Sequence, residues 1–163
     1  MQGSFETFHA ATYRRLVGQI FALLGDVEEA EDVVQDAFAK AWFHWRRIRA
    51  YDSPEAWVRR VAFNQAFNST RRARRRLAAL ARHGPELDAP ALSADRLDVH
   101  HAMARVPPRQ REVLVLAYVA GLSLEEIAAQ LRLPLGTAKS RLARGRRALA
   151  EQLGETYQGI GHG

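Results

Sequence analysis

The chain is 163 residues long, 47% hydrophobic and without cysteine, which excludes wholesale disorder, disulfide scaffolds and thiolate metal sites. No run approaches the ~20 apolar residues that span a bilayer, and Met1–Glu6 lacks the basic-then-apolar build of a secretory signal; a cytoplasmic protein without membrane insertion is expected. Net charge is +6, carried by 22 Arg against 2 Lys, and it is unevenly placed: −4 over residues 1–45, +9 over 46–82, −3 over 83–102 and +4 over 103–163. Two basic blocks separated by an acidic stretch point to two nucleic-acid contacts, with plain solvated helix surface as the alternative. Arginine forks suit phosphate and guanine better than lysine does.

Helix punctuation runs the length of the chain. Ser4 is placed to cap a first helix with apolar Phe5, Phe8, Leu16, Ile20 and Leu23, ended by Gly25. Asp26 followed by Glu29 forms a capping pair for a second helix through about Trp45. Ser53-Pro54 opens a third that passes Arg76, with Trp57, Val61, Asn64, Phe67 and Asn68 on one face. Trp57 and Phe67 are expected in the core, whereas Phe63 is open between burial and stacking on a base. Periodicity fails between His83 and Ser93, where Gly84, Pro85 and Pro90 mix with acids. It resumes near Asp98, halts at Pro107-Pro108, and continues from Arg109 to Ala120 up to Gly121. Ser123 and Glu126 make another capping pair, Leu124, Ile127, Ala128 and Leu131 give a helical stripe, and a last helix spans roughly 135–153. No segment alternates with period two for long. The fold class is therefore all-α: two small helical domains joined by a flexible linker, with domains at 1–81 and 97–153, the linker at 82–96, and a glycine-rich disordered tail at 154–163.

Residues 123–150 fit a helix-turn-helix, a short striped helix followed by a basic one. In the last helix Leu135, Ala138, Leu142, Gly145 and Leu149 form the inward row, opposite Lys139, Ser140, Arg141, Arg144 and Arg147. Arg and Lys there can fork onto guanine edges, while Thr137 and Ser140 suit phosphate or capping. A solvated helical hairpin fits the same pattern. In the N-terminal half, Asp32, Gln35 and Asp36 share one helix face and can bind arginines on a partner helix. A bare acidic surface is the bland reading, and a metal site on Glu28, Asp32 and Asp36 is the third, disfavoured because no histidine converges on it. No cofactor, metal or catalytic residue is expected.

The strings Arg105-Val-Pro-Pro-Arg-Gln-Arg-Glu-Val-Leu114, Gly121-Leu-Ser-Leu-Glu-Glu-Ile-Ala128 and Pro134-Leu-Gly-Thr-Ala-Lys-Ser-Arg-Leu142 resemble region 4 of extracytoplasmic-function (group 4) RNA polymerase sigma factors. The resemblance implies a module that reads the −35 promoter element, with Thr137, Lys139, Ser140, Ala143 and Arg144 toward bases or phosphates and Arg141 and Arg147 as backbone clamps. Ala143 departs from the larger side chains of some members. Ala30-Glu-Asp-Val-Val-Gln-Asp-Ala-Phe-Ala-Lys-Ala-Trp42 is similar to region 2.2, which implies docking of Asp32, Gln35 and Asp36 on the clamp helices of the polymerase's largest subunit. Trp57-Val-Arg-Arg-Val-Ala-Phe-Asn-Gln-Ala-Phe-Asn-Ser-Thr-Arg-Arg72 resembles regions 2.3 and 2.4. That implies −10 recognition by Arg59, Arg60, Asn64, Arg71 and Arg72 with the loop at about Arg49–Glu55.

The partners so implied are core RNA polymerase, including the flap of its second-largest subunit, promoter DNA and an anti-sigma factor. The expected function is promoter-specific transcription initiation without catalysis. A stand-alone helix-turn-helix repressor or activator is the alternative, and it leaves the acidic helix and the Trp57–Arg72 block unexplained.

Overall fold

The computed structural model describes residues 2–79 and 94–157, with side chains over 5–68 and 99–154. Regular structure among them is α-helical, and the chain divides into two units, Met1–Leu87 and Asp88–Gly163. Most of the expected linker lies outside the described residues, as do 158–163. Residues 94–96, expected in the linker, open a helix.

The first unit comprises α1 (Gln2–Leu24), α2 (Val27–Phe43), the single turn α3 (Trp45–Ile48) and α4 (Pro54–Ala79). Its boundaries follow local chemistry. Gly25 adopts φ 81°, the left-handed conformation a glycine enters freely, and its N–H closes on Phe21 O at 2.8 Å. Asp26 Oδ1 then accepts from Glu29 N at 3.1 Å, and Ser53 Oγ from Ala56 N at 3.1 Å, so both caps read from the sequence form. Ser4 is not the cap of α1, because the helix already begins at Gln2. Nor does α2 reach Trp45. It ends at Phe43, where His44 (φ −106°, ψ 11°) leaves helical geometry and starts α3.

Leu16 and Ile20 of α1, Val34 and Ala37 of α2, Ile48 of α3, and Val58, Ala62, Phe63 and Ala66 of α4 have no exposed surface. Each large member of this set contributes about 1.5–3 kcal/mol by leaving water. Phe63 thus belongs to the core, and it is Phe67 that stays half-buried, the reverse of the expected emphasis. Aromatic rings close the open end of the unit: Phe8 stacks on Trp45 at 5.1 Å, and Phe5 meets Trp42 and Trp45 edge-on at 5.0 and 5.2 Å.

The second unit comprises α5 (Ala94–Arg105), α6 (Pro108–Tyr118), α7 (Leu124–Leu131) and α8 (Leu135–Tyr157). Arg111 Nη2 donates to Ala104 O and Val106 O at 2.9 and 3.0 Å, tying the end of α5 to α6. Gly121 turns the chain with φ 70°. At α7 the capping box is complete: Ser123 Oγ accepts from Glu126 N at 3.1 Å, and Glu126 Oε2 accepts from Ser123 N at 2.8 Å. The turn into α8 uses no glycine. Arg132 takes φ 54°, and Leu133 N closes on Ala128 O at 2.9 Å. Gly136 lies inside the first turn of α8, and Gly154 does not stop the helix, which runs four residues past the expected end at 153.

Candidate nucleic-acid and partner interface

Asp26 caps α2, and burial of Ala30, Val33, Val34 and Ala37 sets how the helix is turned. Glu29, Asp32 and Asp36 then fall on the side that faces α4, where Trp57, Val61, Asn64, Gln65 and Asn68 oppose them across an open cleft of ≈ 720 Å³. Lys40 and His44 complete one end. Asp32 and Asp36 are exposed. Gln65 Nε2 donates to Asp36 Oδ2 at 2.8 Å, which bridges the two helices and fixes that carboxylate, while Asp32 makes no hydrogen bond or ion pair among the described residues. Gln35 is not in the cleft. Its amide turns back to α1, 3.4 Å from the Tyr13 hydroxyl, a long and weak contact. The expected trio is therefore divided, two carboxylates in the cleft and the amide beside α1.

Along α4 the expected DNA-contacting residues also separate. Asn64 is exposed at the cleft, one helical turn after Arg60, which is half-buried with its Nε shielded from water. Arg59 shares the i, i+4, i+7 stripe of the buried Phe63 and Ala66 and is itself half-buried. Arg71 and Arg72 lie on the α4 backbone, but their side chains fall outside the described residues. Trp57, expected in the core, is half-buried and walls the cleft, with the His44 ring 6.1 Å away. Among the described residues no group of three or more His, Asp or Glu converges as metal ligands would.

In the second unit α8 presents the pattern read from its sequence, except at the two ends of the inward row, where Leu135 is exposed and Leu149 half-buried. Ala138, Leu142 and Gly145 are buried, whereas Leu135, expected inside, is 47% exposed at the start of the helix. Lys139, Ser140, Ala143, Arg144 and Arg147 are exposed, and Thr137 and Arg141 are half-buried. The Ser140 hydroxyl donates to Thr137 O at 3.0 Å, which leaves its lone pairs to accept.

Arg141 lies near the buried Glu112 of α6. Burial outweighs the opposing charges of Arg109 and Arg141 and leaves the Glu112 carboxyl raised to about 7. Glu112 escaped the sequence reading because an acid at the edge of the apolar run Val113–Leu116, next to Arg111, reads as helix surface. So did Arg146, whose partner Tyr118 is 28 residues away in sequence.

Two features are thus set on separate scaffolds: an acidic cleft on α2 and α4, and an exposed basic face on the second helix of a helix-turn-helix. The two parts match two known domain families. Residues 8–76 match Sigma-70 region 2, and residues 96–149 match Sigma-70, region 4. The chain is similar to the ECF RNA polymerase sigma factor SigL of Mycobacterium tuberculosis, 36% identical over 154 residues that cover 90% of this chain and 85% of that protein. The chain belongs to the ECF RNA polymerase sigma factors. It is 29% identical over 162 residues to the RNA polymerase sigma-H factor of Pseudomonas aeruginosa, covering 85% of this chain and 80% of that one. Among solved structures, the sigma factor RpoE of Bartonella quintana, in complex with the anti-sigma factor NepR, superposes with a TM-score of 0.78 at 27% identity, over 92% of this chain and 96% of that one. CnrH, in complex with the cytosolic domain of CnrY, shares the fold with a TM-score of 0.66, covering 94% of this chain and 89% of that one. As an ECF sigma factor, the protein directs promoter-specific transcription initiation as a partner of RNA polymerase and is not an enzyme.

Proposed function

We propose that this sigma factor divides promoter recognition between its two units: α8 reads the −35 element, and α4 with the loop of residues 49–53 before it, shorter than the expected Arg49–Glu55 because Pro54 already opens α4, reads the −10 element. The observation that carries the upstream half is the exposed row Lys139, Ser140, Ala143, Arg144 and Arg147 on the second helix of a helix-turn-helix. Lys139 and Arg144 supply cationic donors to base edges and phosphates, and small Ala143 lets the helix sit deep in a groove. Downstream, Asn64 is exposed on α4, and its amide offers a donor and an acceptor to an unpaired base. Arg60 and, by position, Arg59, Arg71 and Arg72 supply phosphate contacts.

Docking on core polymerase is assigned to the α2 carboxylates Asp32 and Asp36, assisted by Gln35, against arginines of the clamp helices of the largest subunit. The flap of the second-largest subunit would take the second unit. The two family matches leave only residues 77–95 between them, too few for a middle domain, which supports placement in group 4. An anti-sigma partner is inferred from the complex that the Bartonella quintana sigma factor RpoE forms with the anti-sigma factor NepR, and a cytoplasmic location from the need to meet the polymerase.

The division is tested with holoenzyme transcribing a promoter library randomised at both elements. Lys139→Ala or Arg144→Ala should relax selection at the upstream element alone, and Asn64→Ala at the downstream element alone. Crossed effects would contradict the assignment.

A further inference from the structure

Arg146 of α8 donates its Nε–H to the hydroxyl of Tyr118, and its guanidinium carbon lies 5.5 Å from the centre of the same ring. Tyr118 is the last residue of α6 and is 59% exposed; Arg146 is exposed as well. A contact so open to water contributes little to holding the unit together. Its effect is on the arginine. A guanidinium has five N–H donors. One is held by Tyr118, and among the described residues Arg146 makes no other hydrogen bond or ion pair, so its Nη donors remain for an outside acceptor.

The place of Arg146 on α8 says what that acceptor is. It lies seven residues after Lys139, two turns on and about 20° round the helix. It thus borders the exposed face of Lys139, Ala143 and Arg147 on one side and the buried row of Ala138, Leu142 and Gly145 on the other. On a helix lying in a major groove, the first turns meet base edges, and the edge of a later turn meets the sugar-phosphate wall. We propose that Tyr118 and Arg146 form a preset phosphate clamp: Arg146 binds a backbone phosphate beside the groove that α8 enters, and Tyr118 is a positioning residue that holds the guanidinium in its bound pose before DNA arrives. Arginine loses much rotamer freedom when it is fixed, and paying that loss in the free protein strengthens binding without adding a contact to DNA. The clamp rests on the reading of α8 as the helix that enters DNA.

The test uses the full chain assembled with core polymerase, and as probe a promoter duplex selected by that holoenzyme from a randomised library, titrated across a range of salt. Arg146→Gln should weaken binding roughly tenfold near 0.1 M salt, equally for all selected sequences, and flatten the salt slope by about one. Arg146→Lys should restore the slope without restoring all the affinity. Tyr118→Ala should weaken binding severalfold with the slope unchanged, Tyr118→Phe should fall between, and Tyr118→Ala added to Arg146→Gln should change nothing further. An equal loss from Tyr118→Ala in both backgrounds would make Tyr118 merely structural. Tighter binding on Tyr118→Ala would mean that it withholds Arg146 from DNA, and an unchanged slope in Arg146→Gln would remove the phosphate contact; each overturns the clamp. Lys139→Ala separates the two levels. If it also leaves affinity and slope unchanged, the reading of α8 itself fails.

Discussion

Gly145 of α8 crosses Leu114 of α6 so closely that a Cβ added at Gly145 would stand 3.0 Å from Leu114 Cγ and 3.2 Å from Gln110 O. A glycine in mid-helix forgoes about 1 kcal/mol of helix propensity relative to alanine. Here the missing side chain lets α8 approach α6 this closely.

Gly145→Val should therefore destabilise the second unit despite its better helix propensity. The branched side chain meets backbone as well as a fully buried leucine, and overpacking of this kind costs about 1–3 kcal/mol. Thermal unfolding would show it, and −35 selectivity should fall with it because α8 is pushed off its seat. Unchanged stability would mean that the helices separate freely at this crossing.

Glu112 makes stability depend on pH. Its folded-state carboxyl titrates at about 7 against an ordinary value of 4.5, first because burial disfavours the charge. Between these values the unfolded chain has released a proton that the folded chain keeps, so stability falls as pH rises from about 4.5 to about 7 and levels off above. The total is at most about 3 kcal/mol, with the opposing charges of Arg109 and Arg141 already included. Glu112→Gln removes the titration. The variant should match the natural protein near pH 4 and exceed it at pH 8 in denaturant unfolding; parallel profiles would contradict the assignment.

Asp32 and Asp36 make the docking assignment separable from folding. Asp32 is exposed without a partner among the described residues, so Asp32→Arg should leave the melting temperature within a degree or two. Reversing its charge against cationic clamp residues should lower affinity for core polymerase by at least about tenfold, since like charges across an interface cost several kcal/mol. Asp36→Arg should lose about 1 kcal/mol of stability in addition, from the broken bond to Gln65. Competition binding to core with a melting curve for each variant distinguishes these outcomes.

The bidentate pair between Arg15 and Glu55, at 2.8 and 2.7 Å, joins α1 to the first turn of α4. The hydrogen bond and charge of Glu55 raise the Arg15 guanidinium above its usual value, but the arginine is half exposed and the pair is screened. Arg15→Ala should cost no more than ~0.5–1 kcal/mol. Glu55→Ala should cost more, because Glu55 also faces the positive N-terminus of α4. Melting in low and high salt checks the order; equal losses at both salts would contradict it.

Local chemistry was legible in the sequence, and cross-helix geometry was not. Gly25, Asp26, Ser53-Pro54, Gly121 and the Ser123–Glu126 box each act within one turn of chain, and each is where the spacing put it. His44 breaks α2 without a breaker residue, and Arg132 turns the chain where a glycine is the usual signal. Whether Phe63 or Phe67 is buried depends on which side of α4 the other helices cover. The meeting of Asp36 with Gln65, the division of Gln35 from the carboxylates, and the Tyr118–Arg146 contact all join residues more than 20 positions apart. One-dimensional periodicity is blind to them.

The most direct test of the central claim is transcription by sigma-free core polymerase with this protein added, on a library of randomised promoters. The expected result is stable association with core and transcripts that start only downstream of a shared −35 and −10 sequence pair. Failure to bind core, or transcripts that show no selected pair, would contradict it.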